Sequence, residues 1–116
     1  MQLNDRQRLG RILEYCEDIR ETTLTYGASF KAFQNEREFQ YSVSYCLLQI
    51  GELVADLTEE YRPETAQYIV LDKFKAVKGI ALNAYDDINL EVVWEVIAYD
   101  IPALEEFCKS QTENPT

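Results

Sequence analysis

The chain has 116 residues, 47% of them hydrophobic and 28% charged, with a formal net charge of -10. That is one domain, long enough to bury a core without disulfides or a structural metal. Histidine is absent, which excludes histidine general-base catalysis and histidine metal ligation, and the acidic balance repels a polyanion everywhere except at a local basic patch.

No apolar run approaches the roughly 18 residues needed to span a bilayer. The first 21 residues, MQLNDRQRLGRILEYCEDIRE, carry charges where a signal peptide needs an apolar core. A cytoplasmic protein with no membrane partner is expected. Cys16, Cys46 and Cys108 are odd in number, widely spaced and each set in an apolar helical pattern. They read as buried thiols rather than a disulfide framework or a zinc site. No metal and no cofactor are expected.

Asn4 or Asp5 can cap a first helix that runs to about Tyr26, with Gly27 as its stop. Leu9, Ile12, Leu13, Cys16 and Ile19 form its inner stripe, while Arg11, Glu14, Asp18 and Glu21 face away. Glu17 and Arg20 offer weak local charge pairing. A short helical or irregular link over 28–35 tucks Phe30 and Phe33 inward. Residues 36–61 then carry apolar side chains at helical spacing from Phe39 to Leu57, predicting a spine helix of about 40 Å. Arg62-Pro63-Glu64 breaks it, and a short helical piece over 65–70 follows.

Residues 71–94, LDKFKAVKGIALNAYDDINLEVVW, are the most informative stretch. Phe74, Val77, Ala81 and Ala84 share one helical face, and three of the five lysines, Lys73, Lys75 and Lys78, crowd into six residues. Lys73 and Lys75 are candidate phosphate or RNA contacts, although lysines at this spacing also suit a solvated helix face. A polar turn, Asn83-Ala84-Tyr85-Asp86-Asp87, leads into a last helix starting near Leu90, capped by Asp87 or Asn89. Leu90, Val93, Ile97, Ile101, Leu104 and Cys108 line its inner face, and Pro102 should kink it by deleting one hydrogen bond. Trp94 suits a core or a dimer interface better than a base-stacking platform. Residues 110–116 are a polar, frayed tail beyond a single domain of residues 1–109. No period-2 strands occur, so the fold class is all-α, an up-and-down four-helix bundle with short extra helices.

Three pieces, RILEYCEDI, LQIGELVADLTEEYR and KAVKGIALNAYDDINLEVVWEVIAYDIPAL, taken in this order and spacing, resemble the HepT-like ribonuclease-domain family of the HEPN superfamily. The resemblance spans about residues 3–109. It implies a homodimer, a minimal nucleotidyltransferase antitoxin as partner, and a metal-independent ribonuclease site. The family signature is an Arg-Asn pair, a His five residues after the Arg, and a Tyr two residues after the His. On this chain those positions hold Lys78, Gly79, Asn83 and Tyr85. Only the tyrosine is retained, and in the family it is the group that the nucleotidyltransferase can modify with AMP.

The substitutions have consequences that follow from chemistry alone. Cleavage of RNA through the 2′-hydroxyl needs a proton acceptor, a proton donor and a cation on the phosphate. Asn83 does not titrate near neutral pH. Lys78 offsets phosphate charge only as a point charge, without the arginine fork. Gly79 has no side chain. Tyr85 suits either a half-buried packing phenol or the modified group. Asp86 and Asp87 suit a helix cap better than a metal–nucleotide guide. Two functions follow: a dimeric binding subunit with weak or no ribonuclease activity, or a ribonuclease toxin with a site rebuilt from Lys78, Tyr85 and a carboxylate such as Asp86. A helical interaction module unrelated to toxins is the third.

Overall fold

The computed structural model describes residues 4–58, 61 and 90–113. Among these the protein is all-α, as its periodicity predicts. Helix α1 spans Asp5–Thr25, α2 Phe30–Asn35 and α3 Arg37–Ala55. The last rod is composite: α4 is Leu90–Glu95, a π-turn is Val96–Asp100, and α5 is Ile101–Glu113. The expected short piece at 65–70 and the lysine-bearing helix lie outside the described residues.

Helix α1 is bounded by side-chain and backbone chemistry that is legible in its ends. Asn4 Oδ1 accepts from the Gln7 N–H at 2.8 Å, and Gln7 Oε1 accepts from the Asn4 N–H at 2.9 Å. This reciprocal box satisfies two backbone donors that a helix start leaves open. At the other end Gly27 adopts φ 97°, the Ala28 N–H reaches Thr23 O at 2.8 Å, and the Gly27 N–H reaches Leu24 O at 3.2 Å. That pair of bonds is a Schellman stop, and glycine takes its left-handed position without strain.

Helix α1 packs against both α3 and α5, so it, rather than the longer-looking second stripe, is the centre of the described fold. Leu9, Ile12, Cys16 and Ile19 are buried along it, with Leu13 packed at the edge. Helix α3 packs on α1 and buries Phe39, Val43, Leu47, Ile50 and Val54. The composite rod contributes Val93, Val96, Ile97, Ile101, Leu104 and Cys108. Four rings close one end of this core. Phe39 stacks on Tyr26 at 4.9 Å and meets Phe33 edge-on at 5.1 Å, and Trp94 lies 5.8 Å from Phe33 and 6.4 Å from Phe39. Trp94 is therefore a core-edge ring, as its spacing suggests.

Three expectations need correction. Helix α3 ends at Ala55, after 19 residues, so it is about 28 Å long rather than 40 Å. The cause lies at Thr58. In a continued helix its N–H would bond the Val54 carbonyl; instead it donates to Asp5 Oδ1 at 3.2 Å, and its hydroxyl donates to Asp5 Oδ2. A side-chain acceptor has outcompeted the helix for that donor. Leu57 remains fully buried just past the helix end, which is why the periodic pattern runs on. Second, Arg20 pairs not with Glu17 but with Glu105, at 2.8 Å, joining α1 to α5. Third, residues 110–113 continue α5 instead of fraying: Arg6 Nη2 donates to Thr112 O at 3.2 Å, and the Thr112 hydroxyl donates to Cys108 O at 3.0 Å.

Pro102 acts one turn earlier than a simple kink would place it. The Ile101 N–H donates to Val96 O, five residues back, so the helix is already widened to π geometry before the proline. A proline has no N–H for the preceding turn, and its ring crowds the carbonyl four residues back. Widening the turn relieves that crowding.

The Asp5–Thr58 clasp makes a testable contribution. Thr58 is the main cause holding the Asp5 carboxyl below its ordinary value of 3.8, with Arg8 at 3.3 Å adding to it. A carboxyl depressed on folding stabilises above its unfolded pKa, and that stabilisation is lost as pH falls through the folded value. Asp5→Ala should lower the urea midpoint at neutral pH. The difference from the unaltered protein should close in strong acid. A gap that persists there would show that the clasp works by packing and not by charge.

Candidate functional site

The residues singled out by the sequence, Lys73, Lys75, Lys78, Gly79, Asn83, Tyr85, Asp86 and Asp87, all lie outside the described residues. Trp94 is described. The described fold resumes after that stretch at Leu90, in α4.

What the described residues build is a cleft of about 290 Å³ between α1 and the composite rod. Cys16, Ile19 and Leu24 form one wall, and Trp94, Ile97 and Ile101 form the other. Arg20 and Glu105 lie on opposite walls, and their ion pair bridges them. Arg20 is 55% exposed, so the pair adds little stability. A second, more polar depression of about 250 Å³ lies between Arg11 and Tyr15 of α1 and Gln49, Glu52 and Asp56 at the end of α3. Sequence spacing pointed to neither. The signal for the first was present in Ala98 and Pro102, a small residue and a missing donor beside the rod's apolar inner face.

The three thiols are free. Burial pushes the Cys108 thiol up to about 12 and that of Cys46 up to about 11, and it raises Cys16 further still. None is poised as a nucleophile at neutral pH, since the thiolate is the reactive form. Among the described residues no group of His, Cys, Asp or Glu is placed to hold a metal ion. No described helix is long and apolar enough to cross a membrane.

An all-α domain with an apolar core is thus the class of protein the described residues define. Residues 12–111 match the family model for "Ribonuclease HepT-like", and this chain belongs to that family. Its all-α fold fits the wider HEPN superfamily. A protein of Caldanaerobacter subterraneus subsp. tengcongensis, named provisionally as an RNase, is 28% identical over 104 residues, covering 90% of each chain. A Methanocaldococcus jannaschii protein, named a gamma-glutamylcyclotransferase and provisionally an RNase, is 32% identical over 98 residues. Those residues are 84% of this chain but only 43% of that relative, so the match is to part of a longer protein. No solved structure matches the chain.

Proposed function

We propose that this chain is a HepT-like subunit of a HEPN/nucleotidyltransferase toxin–antitoxin module whose ribonuclease motif is degenerate. It acts as a homodimeric binding partner with weak or no ribonuclease activity. The observation that carries this reading is the composition of the motif: Lys78, Gly79 and Asn83 stand where the family has Arg, Asn and His, and the chain has no histidine to substitute for the missing one. Proton transfer is the element lost, and it is typically worth about 100- to 10,000-fold in rate. Tyr85 keeps the family's modifiable phenol, which supports continued engagement with a nucleotidyltransferase. Lys73 and Lys75 supply the local cations that an RNA or nucleotide phosphate would need on an acidic protein.

A second reading is an active ribonuclease toxin with a rebuilt site. The relatives' provisional RNase names favour it. Lys78 would then neutralise the phosphate, while Tyr85 or Asp86 moved the proton.

The partner experiment tests the first reading. AMP transfer needs the Tyr85 hydroxyl as nucleophile and a metal on the triphosphate, which the nucleotidyltransferase would bring. The oxygen attacks the α-phosphorus, the phenolic proton leaves, and pyrophosphate is released. Incubation with the cognate nucleotidyltransferase, ATP and magnesium should add the mass of one AMP to this protein and none to Tyr85→Phe. Co-purification without added mass would confine Tyr85 to packing. Failure of the two proteins to associate would sink the module.

A further inference from the structure

Helix α3 carries a second stripe beside its core face. Tyr41, Tyr45, Gln49, Glu52 and Asp56 recur every three or four residues, which sets them along one side of the helix. Tyr41 and Tyr45 are 40% and 58% exposed. They are two of the four large hydrophobic side chains left exposed among the described residues, and they stand one turn apart. Across from them on α1, the Tyr15 ring meets Tyr45 edge-on, with centroids 6.4 Å apart. Tyr15 and Arg11 also line, with Gln49, Glu52 and Asp56, the depression of about 250 Å³ at the end of α3. Rings and depression are therefore one continuous surface, joined at Tyr15.

The two ends of this surface differ in charge. Glu52 and Asp56 lie in the last turn of α3 and at its cap, where the helix has no basic residue and its carbonyl end is itself negative. Arg11 is the one cation among the described residues that line the depression. Among those residues it forms no ion pair with either carboxylate, whereas Arg8 pairs with Asp5 and Arg20 with Glu105. Arg37 lies one turn before Tyr41, so the acidic character is confined to the Glu52–Asp56 end.

Exposed tyrosines suit a protein contact, because each ring offers a large rigid apolar area with a polar tip. From Tyr41 to Asp56 the stripe is about 22 Å long, the length of a helix of about four turns. A helix of the same pitch laid along it would meet the stripe at the same intervals. Apolar side chains match the rings, and cations two and three turns beyond Tyr45 match the carboxylates.

We propose that this face docks an amphipathic helix of another protein that is basic at one end, with apolar side chains over Tyr41 and Tyr45 and lysine or arginine over Glu52 and Asp56. This docking is independent of the nuclease motif and of tyrosine modification. The probe is an alanine-based helical peptide with two leucines one turn apart and two lysines two and three turns beyond the second leucine. A companion peptide with that order reversed covers the antiparallel orientation.

In an amide-shift titration, one of the two peptides should give saturable shifts at Tyr41, Tyr45, Gln49 and Glu52, with Glu106 on α5 unmoved. Glutamates in place of its lysines should weaken binding at least about tenfold, and so should Tyr45→Ala at its exposed position. Glu52→Lys with Asp56→Lys should reverse the preference, so that the glutamate peptide binds more tightly. Glu91→Lys with Glu106→Lys makes the same change in net charge on the rod, and it should leave the preference as it was. Four results would overturn the proposal. One is shifts spread over the whole surface, and another is equal loss of lysine-peptide binding in the two charge-reversed proteins; both mean attraction to net charge alone. The third is Tyr45→Ala binding as tightly as the unaltered protein. The fourth is shifts at the stripe that follow protein concentration without peptide, which would make it a contact between copies.

Discussion

Restoring Asn83→His together with Lys78→Arg should raise ribonuclease activity by about 100-fold or more over the unaltered chain. The double change returns a group that titrates near neutral pH and a planar cation that can grip two phosphate oxygens at once. General acid–base catalysis contributes about 100- to 10,000-fold, and the arginine adds to the electrostatic share. The two substitutions act on one transition state, so their effects should not add: each alone should recover much less than the pair. The restored activity should also acquire a pH dependence centred near the histidine range, which the unaltered chain lacks a histidine to produce. Chelation of divalent metal should leave it unchanged. A double variant that folds, dimerises and still fails to cut RNA would mean that Gly79, or a further departure, has dismantled the site beyond these two positions.

The second large effect concerns the core. Phe39→Ala should destabilise the fold by about 3–5 kcal/mol, a large part of the 5–15 kcal/mol typical of a domain. Phe39 is fully buried and touches three other rings: Tyr26 at 4.9 Å, Phe33 at 5.1 Å and Trp94 at 6.4 Å. These rings come from the end of α1, from α2 and from α4, so truncation loosens three junctions at once. The Tyr26 hydroxyl also sits 3.4 Å from Glu38 Oε2, at the edge of the same stack. Urea unfolding followed by the fluorescence of the single tryptophan should show the loss, because Trp94 is both reporter and participant. A midpoint within about 1 kcal/mol of the unaltered protein would mean that the surrounding rings collapse into the space.

Much of the described fold was legible in the chain. The cap at Asn4, the stop at Gly27, the inner stripes of α1 and of the composite rod, and the burial of Cys16 and Cys108 all follow from local chemistry and a period of 3.6, whereas Cys46, expected to be buried, is only half-buried. What the pattern could not carry was long-range. The end of α3 is decided by Asp5, more than fifty positions away in sequence, which captures Thr58. Arg20 turns from its neighbour Glu17 to Glu105 for the same kind of reason: tertiary packing brings a better partner within reach. Residues 110–113 stay helical because Arg6 holds the Thr112 carbonyl. Pro102 was readable as a break in the ladder, but whether a rod kinks or widens depends on what packs around it. The family was legible because its helical pieces recur in order. The chemistry of the motif was legible only as a set of substitutions at Lys78, Gly79 and Asn83, since local pattern does not show how two copies of a chain would bring them together.

The degenerate-site account is tested most directly by incubating the purified, unaltered chain with tRNA and mRNA in the presence of a metal chelator and resolving the fragments. The account predicts intact RNA, or cleavage too slow to distinguish from that of a Lys78→Ala variant. Robust metal-independent cleavage that Lys78→Ala abolishes would contradict it and establish an active nuclease.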